Sequence, residues 1–265
     1  MSLSVTILGC GSSAGVPRVG SGWGACDPTN PKNRRRRCSI LVERATPGGT
    51  TSVLVDTSPD LREQLLDADV RRLDGVIITH DHADHIHGID DLRPLVIHMR
   101  RRLRLYADAT TSEVLNARFG YCFRSPPGSQ YPPLVDEHRI AVGQFVEVDG
   151  PGGIVSALPF DMEHGSIRAL GLRFGDIAYA SDVSRMPDES IAALAGLDLL
   201  ILDALRYTPH PTHFSVSEAL ALIERLRPRR AVLTNLHTDV DYETLRRELP
   251  AGIVPAFDGM RLEAE

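Results

Sequence analysis

Four histidines fall within the eight positions from His80 to His87, in the stretch THDHADHIHGIDD. Clustered imidazoles repel one another when protonated and need hydrogen-bond partners when neutral and buried, so such a run points to a shared cation. His80, His82, Asp84 and His85 make the pattern H-x-H-x-D-H. On a chain leaving a strand, His80 and His82 share one side because alternate residues point the same way. Asp84 and His85 open the helix that follows and face a second point nearby. The segment offers two nitrogens to one metal and an oxygen plus a nitrogen to another. That donor set suits zinc, with manganese and iron as alternatives. A solvated histidine-rich loop is the competing reading. The position at the C-terminal end of a strand, where α/β proteins place their chemistry, argues against it.

Two metals need more ligands than this segment supplies. His164 in DMEHGS, Asp182 in IAYASD and His237 in VLTNLH share its topological position, the exit of a strand. By contrast His98, His138 and His210 sit in helix or loop surroundings and read as surface or packing residues, and His87 as structural.

The elements that must position these groups are legible from apolar periodicity. SVTILG, CSILVE and SVLVDT read as strands, and PDLREQLLDADV as a helix opened by proline. The buried-type strand GVIITH delivers the histidine cluster, after which a helical pattern runs from Asp84 to Leu95 and is limited by Pro94. RLRLYA is a strand, TTSEVLNARFGYCF a helix and RSPPGSQYPPL a loop. Strands return in RIAVGQFVEVDG, IVSALPF and LGLRFGDIAYASD, the last with a hairpin at Gly175-Asp176. Then come the helix DESIAALAG, the strand LDLLILDA and a helix capped by Ser215 with Glu218 three residues on. The strand RAVLTNL, the helix DYETLRREL and one last strand near IVPAFDGMRLE finish the chain. Strands and helices come twice in similar order, which implies an α/β chain of two packed sheets with helices outside, residues 1–265 forming one domain.

Composition narrows the class. A net charge of −6 argues against a protein that coats nucleic acid by bulk electrostatics. No apolar run is long enough to span a bilayer, and the start, MSLSVTILGCG, lacks a secretory pattern. Cys10, Cys26, Cys38 and Cys122 form no C-x-x-C pair and read as reduced thiols of a cytoplasmic protein.

H-x-H-x-D-H followed at long intervals by His164, Asp182 and His237 resembles the metallo-β-lactamase superfamily. The resemblance implies a four-layer αββα sandwich, two mixed sheets flanked by helices, with a dinuclear site along one sheet edge. It implies that His80, His82 and His164 hold one metal and that Asp84, His85 and His237 hold the other, Asp182 bridging. Asp56 would support the ligands through hydrogen bonds. Two divalent ions bring four positive charges, and Asp84, Asp182 and a bridging hydroxide remove three. The remaining positive charge attracts an anion, and such a metal pair suits in-line displacement at phosphorus.

His213, in PTHFSVSEAL, stands just before the helix whose following strand carries His237. This resembles the phosphodiesterase branch, where such a histidine contacts phosphate and protonates the leaving oxygen. Asp84 and His213 are therefore the candidate catalytic residues. LGCGSSAGVP, DTSPDLREQLL, HGIDDLRPL and AFDGMRLE resemble the phosphoribosyl 1,2-cyclic phosphate phosphodiesterases, which implies a small cyclic phosphoribosyl or nucleotide-like substrate and a homodimer. Those enzymes commonly carry a cysteine cluster for a structural zinc. RVGSGWGACDPTNPKN has only Cys26, so no third metal is expected. Asn33, Arg36 and Ser58 are candidate substrate contacts, and the basic runs Lys32–Arg37 and Arg100–Arg104 read mainly as exposed charge. The rival readings are a tRNA 3′-processing endonuclease, a relative of the pyrroloquinoline-quinone biosynthesis protein B, and a metal-dependent sensor without turnover.

Overall fold

The alternation of side chains along each strand sets the architecture. In the computed structural model, which describes residues 2–263, Val53 and Val55 turn to one buried face and Leu54 to the opposite one. Leu199 and Ile201 part from Leu200 and Leu202 in the same way. Both faces of these strands are therefore covered, as continuous apolar runs require.

The first sheet comprises Ser2–Gly9 (β1), Ser39–Thr46 (β2), Gly49–Val55 (β3), Gly75–Ile77 (β4), Leu103–Ala107 (β5) and Val135–Arg139 (β6). The second comprises Val146–Val148 (β7), Val155–His164 (β8), Ile167–Phe174 (β9), Ile177–Ala180 (β10), Leu199–Asp203 (β11), Arg230–Thr234 (β12) and Ile253–Pro255 (β13). Arg261–Glu263 (β14) returns to pair with β1, so the orders are β14-β1-β2-β3-β4-β5-β6 and β13-β12-β11-β10-β9-β8-β7. Each sheet is mixed: β1, β2 and β3 run antiparallel while β3 to β6 are parallel, and β8 to β10 run antiparallel while β10 to β13 are parallel.

Three apolar clusters fill the spaces. Val5, Val42, Val53, Ile77, Phe174, Tyr179, Ile201 and Val232 meet between the sheets. Leu54, Val76 and Leu105 pack outward under Leu61–Asp67 (α1), Ala83–Ile86 (α2), Arg93–Met99 (α3) and Ala109–Phe123 (α4). Leu200, Leu202 and Leu233 pack outward under Asp188–Ala193 (α5), Val216–Leu226 (α6) and Tyr242–Glu248 (α7). The result is the expected order of helix, sheet, sheet and helix. A Leu54→Ala change in this packing costs about 2–5 kcal/mol.

Two expectations are corrected. Pro94 does not end a helix: the run breaks after Ile86, makes a short 3-10 turn over Ile89–Leu92, and Pro94 sits in the first turn of α3. Proline has no N–H to lose there, which is why a first turn accepts it. The last strand is two, because the chain turns at Phe257–Gly259 and passes from one sheet to the other. The capping box on α6 is present, with Ser215 and Glu218 bonding reciprocally. All four cysteines are buried and free.

Candidate metal centre

β3 and β4 end side by side, and their exits build one wall of the site. Asp56 follows β3 with φ of 64°, a left-handed conformation that turns its carboxylate back onto the neighbouring strand exit. There it accepts the Thr79 N–H at 2.8 Å and lies 2.9 Å from the Thr79 hydroxyl and 2.7 Å from His85 Nδ1. Burial pushes the Asp56 pKa up, against the charge and hydrogen bond of His85 and the bonds of Thr79. α2 is clamped from the other side by Thr57 N–H to His85 O at 2.7 Å and Gly88 N–H to Thr57 O at 2.8 Å. A Cβ at Gly88 would come within 1.9 Å of Ser58 O, so only glycine permits that approach.

Those contacts decide which ring nitrogen is free. A carboxylate can only accept, so His85 donates through Nδ1 and presents an Nε2 lone pair. Thr79 gives its hydroxyl proton to Asp56, so its oxygen accepts from His80 Nδ1 at 3.0 Å. His164 donates Nδ1–H to the Thr212 carbonyl at 2.6 Å. In their neutral forms these three buried imidazoles carry the proton on Nδ1 and present Nε2 inward.

The lone pairs converge. Donor atoms of His80, His82 and His164 lie within 4.8 Å of one another, as do those of His80, His85 and Asp182 and those of His164, Asp182 and His213. His85 Nε2 stands 3.2 Å from Asp182 Oδ2 and 3.6 Å from Asp84 Oδ2. A lone pair facing a carboxylate oxygen is repulsive unless a proton or a metal cation lies between them. Burial disfavours a charged His85, yet Asp182, Asp56 and Asp84 outweigh it and raise its pKa well above the usual value. His80, by contrast, is pushed well down by burial and by His85. Buried His80 Nε2 and Asp182 Oδ2 have no hydrogen-bond partner among the described residues. Each such orphan costs about 1–3 kcal/mol. In a fold stable by about 5–15 kcal/mol, the pair is intelligible as a binding site and wasteful otherwise. The donor chemistry fits a divalent metal centre. His82 is exposed and marks the side open to solvent.

The second sheet supplies the opposite wall. His164 closes β8, Asp182 lies just past β10, and Asp203 closes β11. Asp203 is fully buried, and its Oδ2 lies 2.7 Å from His213 Nδ1. Burial raises Asp203 to about 7, against the hydrogen bond and charge of His213. His213 is likewise raised: burial opposes its charge, but Asp203, Asp182 and Asp84 outweigh that. The dyad therefore keeps a proton near neutrality.

His237, like Asp84, lies outside the three groups of converging donor atoms. β12 ends at Thr234, and the exit position belongs to Asn235, left-handed at φ 60°, whose amide donates to Ser181 O at 3.0 Å and lies 3.1 Å from His213 Nδ1. Two residues on, His237 Nδ1 accepts the Asp239 N–H at 3.2 Å, with Asp239 Oδ1 3.1 Å away.

The candidate substrate contacts are engaged elsewhere. Asn33 is fully buried, donating to Asp241 at 2.7 Å and accepting from Arg35 and the Tyr242 N–H. Arg36 pairs with Asp67 in an outer groove of about 480 Å³ that also contains Arg34, Glu43 and Arg261. Ser58 is buried against Gln64 at 2.8 Å and accepts the Asp60 N–H. Cys26 packs against Arg35 and the carbonyls of Thr238 and Val240, fastening the loop after β1 to the segment after β12. Thr79, Asp203 and Asn235 were not singled out from sequence. The signal for Asp203 is a carboxylate closing the apolar run LDLLILD, which can be buried only with a partner. His210, read as ordinary, has its ring centred 5.3 Å from that of His213.

Comparison with known proteins agrees with this geometry. The family model of the beta-lactamase superfamily domain matches residues 51–235, a stretch that holds every member of the three ligand groups. A new diphosphatase from the PhnP family superposes with a TM-score of 0.89 at 38% identity, over 100% of this chain and 98% of that one. Zn(2+)-bound PqqB from Methylobacterium extorquens shares the fold, with a TM-score of 0.75 at 19% identity over 98% of this chain and 100% of that one. An octanoyltransferase of Porphyromonas gingivalis is 33% identical over 96% of this chain, which spans only 50% of that protein's length. No helix among the described residues is long and apolar enough to cross a membrane. The chain belongs to the beta-lactamase superfamily.

Proposed function

We propose that the chain hydrolyses a small phosphodiester of cyclic, phosphoribosyl or nucleotide-like kind at this centre. The observation that carries the reading is the Asp203–His213 pair, 2.7 Å apart, beside His164 and Asp182. A site that only bound or sensed a metal has no need, beyond its ligand-orienting Asp56–His85 pair, of a second carboxylate–imidazole pair that keeps a proton near neutrality at its rim. An alkoxide leaves poorly without a proton, and a positioned histidine supplies one.

In this reading His80, His82 and His164 hold one divalent ion, and Asp84 and His85 hold a second, with Asp182 between them; zinc comes first, with manganese and iron as alternatives. Bound cations supply an activated water at neutral pH and offset charge developing at phosphorus. Asp56 and Thr79 keep His80 and His85 in the ligating tautomer. Asp84, 3.6 Å from His85 Nε2, adds a carboxylate at the mouth of the nucleophile's position. The exposed edge of His82 admits substrate, and Asp203 holds Nδ1 of His213 so that Nε2 faces the leaving oxygen. The likeness to a diphosphatase at 38% identity supports chemistry at phosphorus. The connection between α4 and β6, residues 124–134, has no room for a long tRNA-gripping arm, which favours a small substrate over the endonuclease reading.

The test is hydrolysis of bis(p-nitrophenyl) phosphate by protein loaded with zinc or manganese. Turnover that depends on metal supports the proposal; a metal-loaded protein with no turnover overturns it in favour of a binding protein.

A further inference from the structure

His80, His85 and His164 are each oriented by a ring nitrogen bonded to a fixed partner: Thr79, Asp56 and the Thr212 carbonyl. Among the described residues His82 has no such partner. Its Nδ1 faces His164 Nε2 at 3.2 Å, another member of the same ligand group, and the residue is exposed. An imidazole without an orienting bond of its own takes its direction from the backbone that carries it.

That backbone is sparsely tied. Thr79 is fixed on both sides, its N–H donating to Asp56 at 2.8 Å and its carbonyl accepting from Leu170 at 3.0 Å. The His82 carbonyl accepts the His85 N–H at 3.0 Å, where α2 begins. Between these points, among the described residues, one hydrogen bond reaches the main chain: Arg118 Nη1 donates to Asp81 O at 2.9 Å. The carbonyl of Asp81 and the N–H of His82 belong to one planar peptide unit, so holding the first sets the second and the direction in which the His82 side chain departs. The Asp81 carboxylate adds little, because its Oδ2 stands 4.0 Å from Arg118 Nη2 and both side chains are partly exposed.

α4 is shaped to deliver this donor. Its helical geometry lapses at Phe119, with φ of −127° and ψ of 33°, directly after Arg118. The Phe119 ring meets that of His87 edge-on at 5.5 Å. Two consecutive residues of one helix therefore hold the histidine segment at Asp81 and at His87, before and after α2. A charged donor also makes a stronger bond to a carbonyl than a neutral one.

We infer that Arg118 is a positioning residue of the metal centre: it orients His82 through the Asp81–His82 peptide, as Thr79, Asp56 and Thr212 orient the other three rings. The inference rests on His82 being a ligand and not on the phosphodiester reading.

The test is cobalt(II) binding to metal-free protein, followed by calorimetry and by visible ligand-field absorption, whose bands report ligand geometry. Arg118→Ala should weaken binding about tenfold, as loss of an outer hydrogen bond does, and shift the bands. Arg118→Lys, which keeps a charged donor, should recover most of both. In a His82→Ala background, Arg118→Ala should change the affinity by less than about twofold, because its effect passes through that ring. Unchanged affinity and spectrum in Arg118→Ala overturn the inference. So does an equal loss with and without His82, which would make Arg118 a general brace of the segment. Undiminished affinity in His82→Ala alone overturns it by removing its premise. Every readout is taken without substrate, so a failure to hydrolyse bis(p-nitrophenyl) phosphate removes the hydrolase and leaves this role of Arg118 standing.

Discussion

The two walls of the centre are built differently. On the first-sheet wall, His80, His82, Asp84 and His85 come from one short segment, and a single buried carboxylate, Asp56, organises two of the rings through Thr79 and His85 Nδ1. On the second-sheet wall, His164, Asp182, Asp203, His213 and Asn235 come from the exits of four strands, and three of them are held by partners of their own: Thr212 O for His164, Asp203 for His213, Ser181 O for Asn235. The first wall is a ligand cluster with one point of failure. The second divides its labour, so that metal holding and proton supply can be lost independently.

The sharpest way to break this contrast is at Asp182, a carboxylate that meets both walls, 3.2 Å from His85 Nε2 and 3.9 Å from His164 Nε2. Asp182→Ala should release metal and cut phosphodiester hydrolysis by more than about 100-fold, beyond what loss of an outer hydrogen bond costs. Metal content by plasma emission, measured beside the rate, checks it. Full metal occupancy in that variant would remove Asp182 from the ligand set.

His213→Ala and Asp56→Asn then separate the walls. The first should retain metal and lose about 10²–10⁴ in rate on an alkyl-leaving substrate, with a smaller loss on p-nitrophenyl esters, whose departing group needs no proton. The second should lose metal affinity and rate together by about 10–100-fold, because His80 and His85 lose their tautomer lock. If both variants lose metal alike, the division of labour is wrong.

This contrast also explains what could be read from the sequence. The first wall was legible because its ligands are local: strand, exit and helix start fix their relative directions within a few residues. His164 and Asp182 were legible because a polar residue ending an apolar run is conspicuous. His237 stands two residues past the exit of β12. The left-handed turn at Asn235 changes which side chain faces inward, and no periodicity announces a positive φ at a residue other than glycine. Asn33 and Arg36 rest on residue type alone, and their engagement with Asp241 and Asp67 depends on long-range docking, whereas Ser58 is taken up locally by Gln64 six residues on. His237→Ala sharpens the point: metal content should stay unchanged, and a lost metal ion would restore His237 to the ligand set.

The smallest expected effect is a displaced pH profile, and it isolates Asp203. The pKa of His213 is raised above its ordinary value, burial being outweighed by the Asp203 hydrogen bond and charge, so the proton-donating form prevails below that raised pKa and is lost as pH rises through it. For an alkyl-leaving substrate, kcat should therefore fall on the alkaline side. Asp203→Asn removes the largest of the raising influences while an amide oxygen can still accept from Nδ1, so the alkaline limb should move to lower pH with metal content intact. Linkage gives the same sign for stability. The raised His213 stabilises the fold fully below its unfolded pKa, and that contribution disappears as pH climbs through the folded value, so the variant should narrow the gap in Tm between mildly acidic and mildly alkaline buffer. An alkaline limb that stays in place after Asp203→Asn would detach the proton donor from the second wall and leave His213 as a binding group alone.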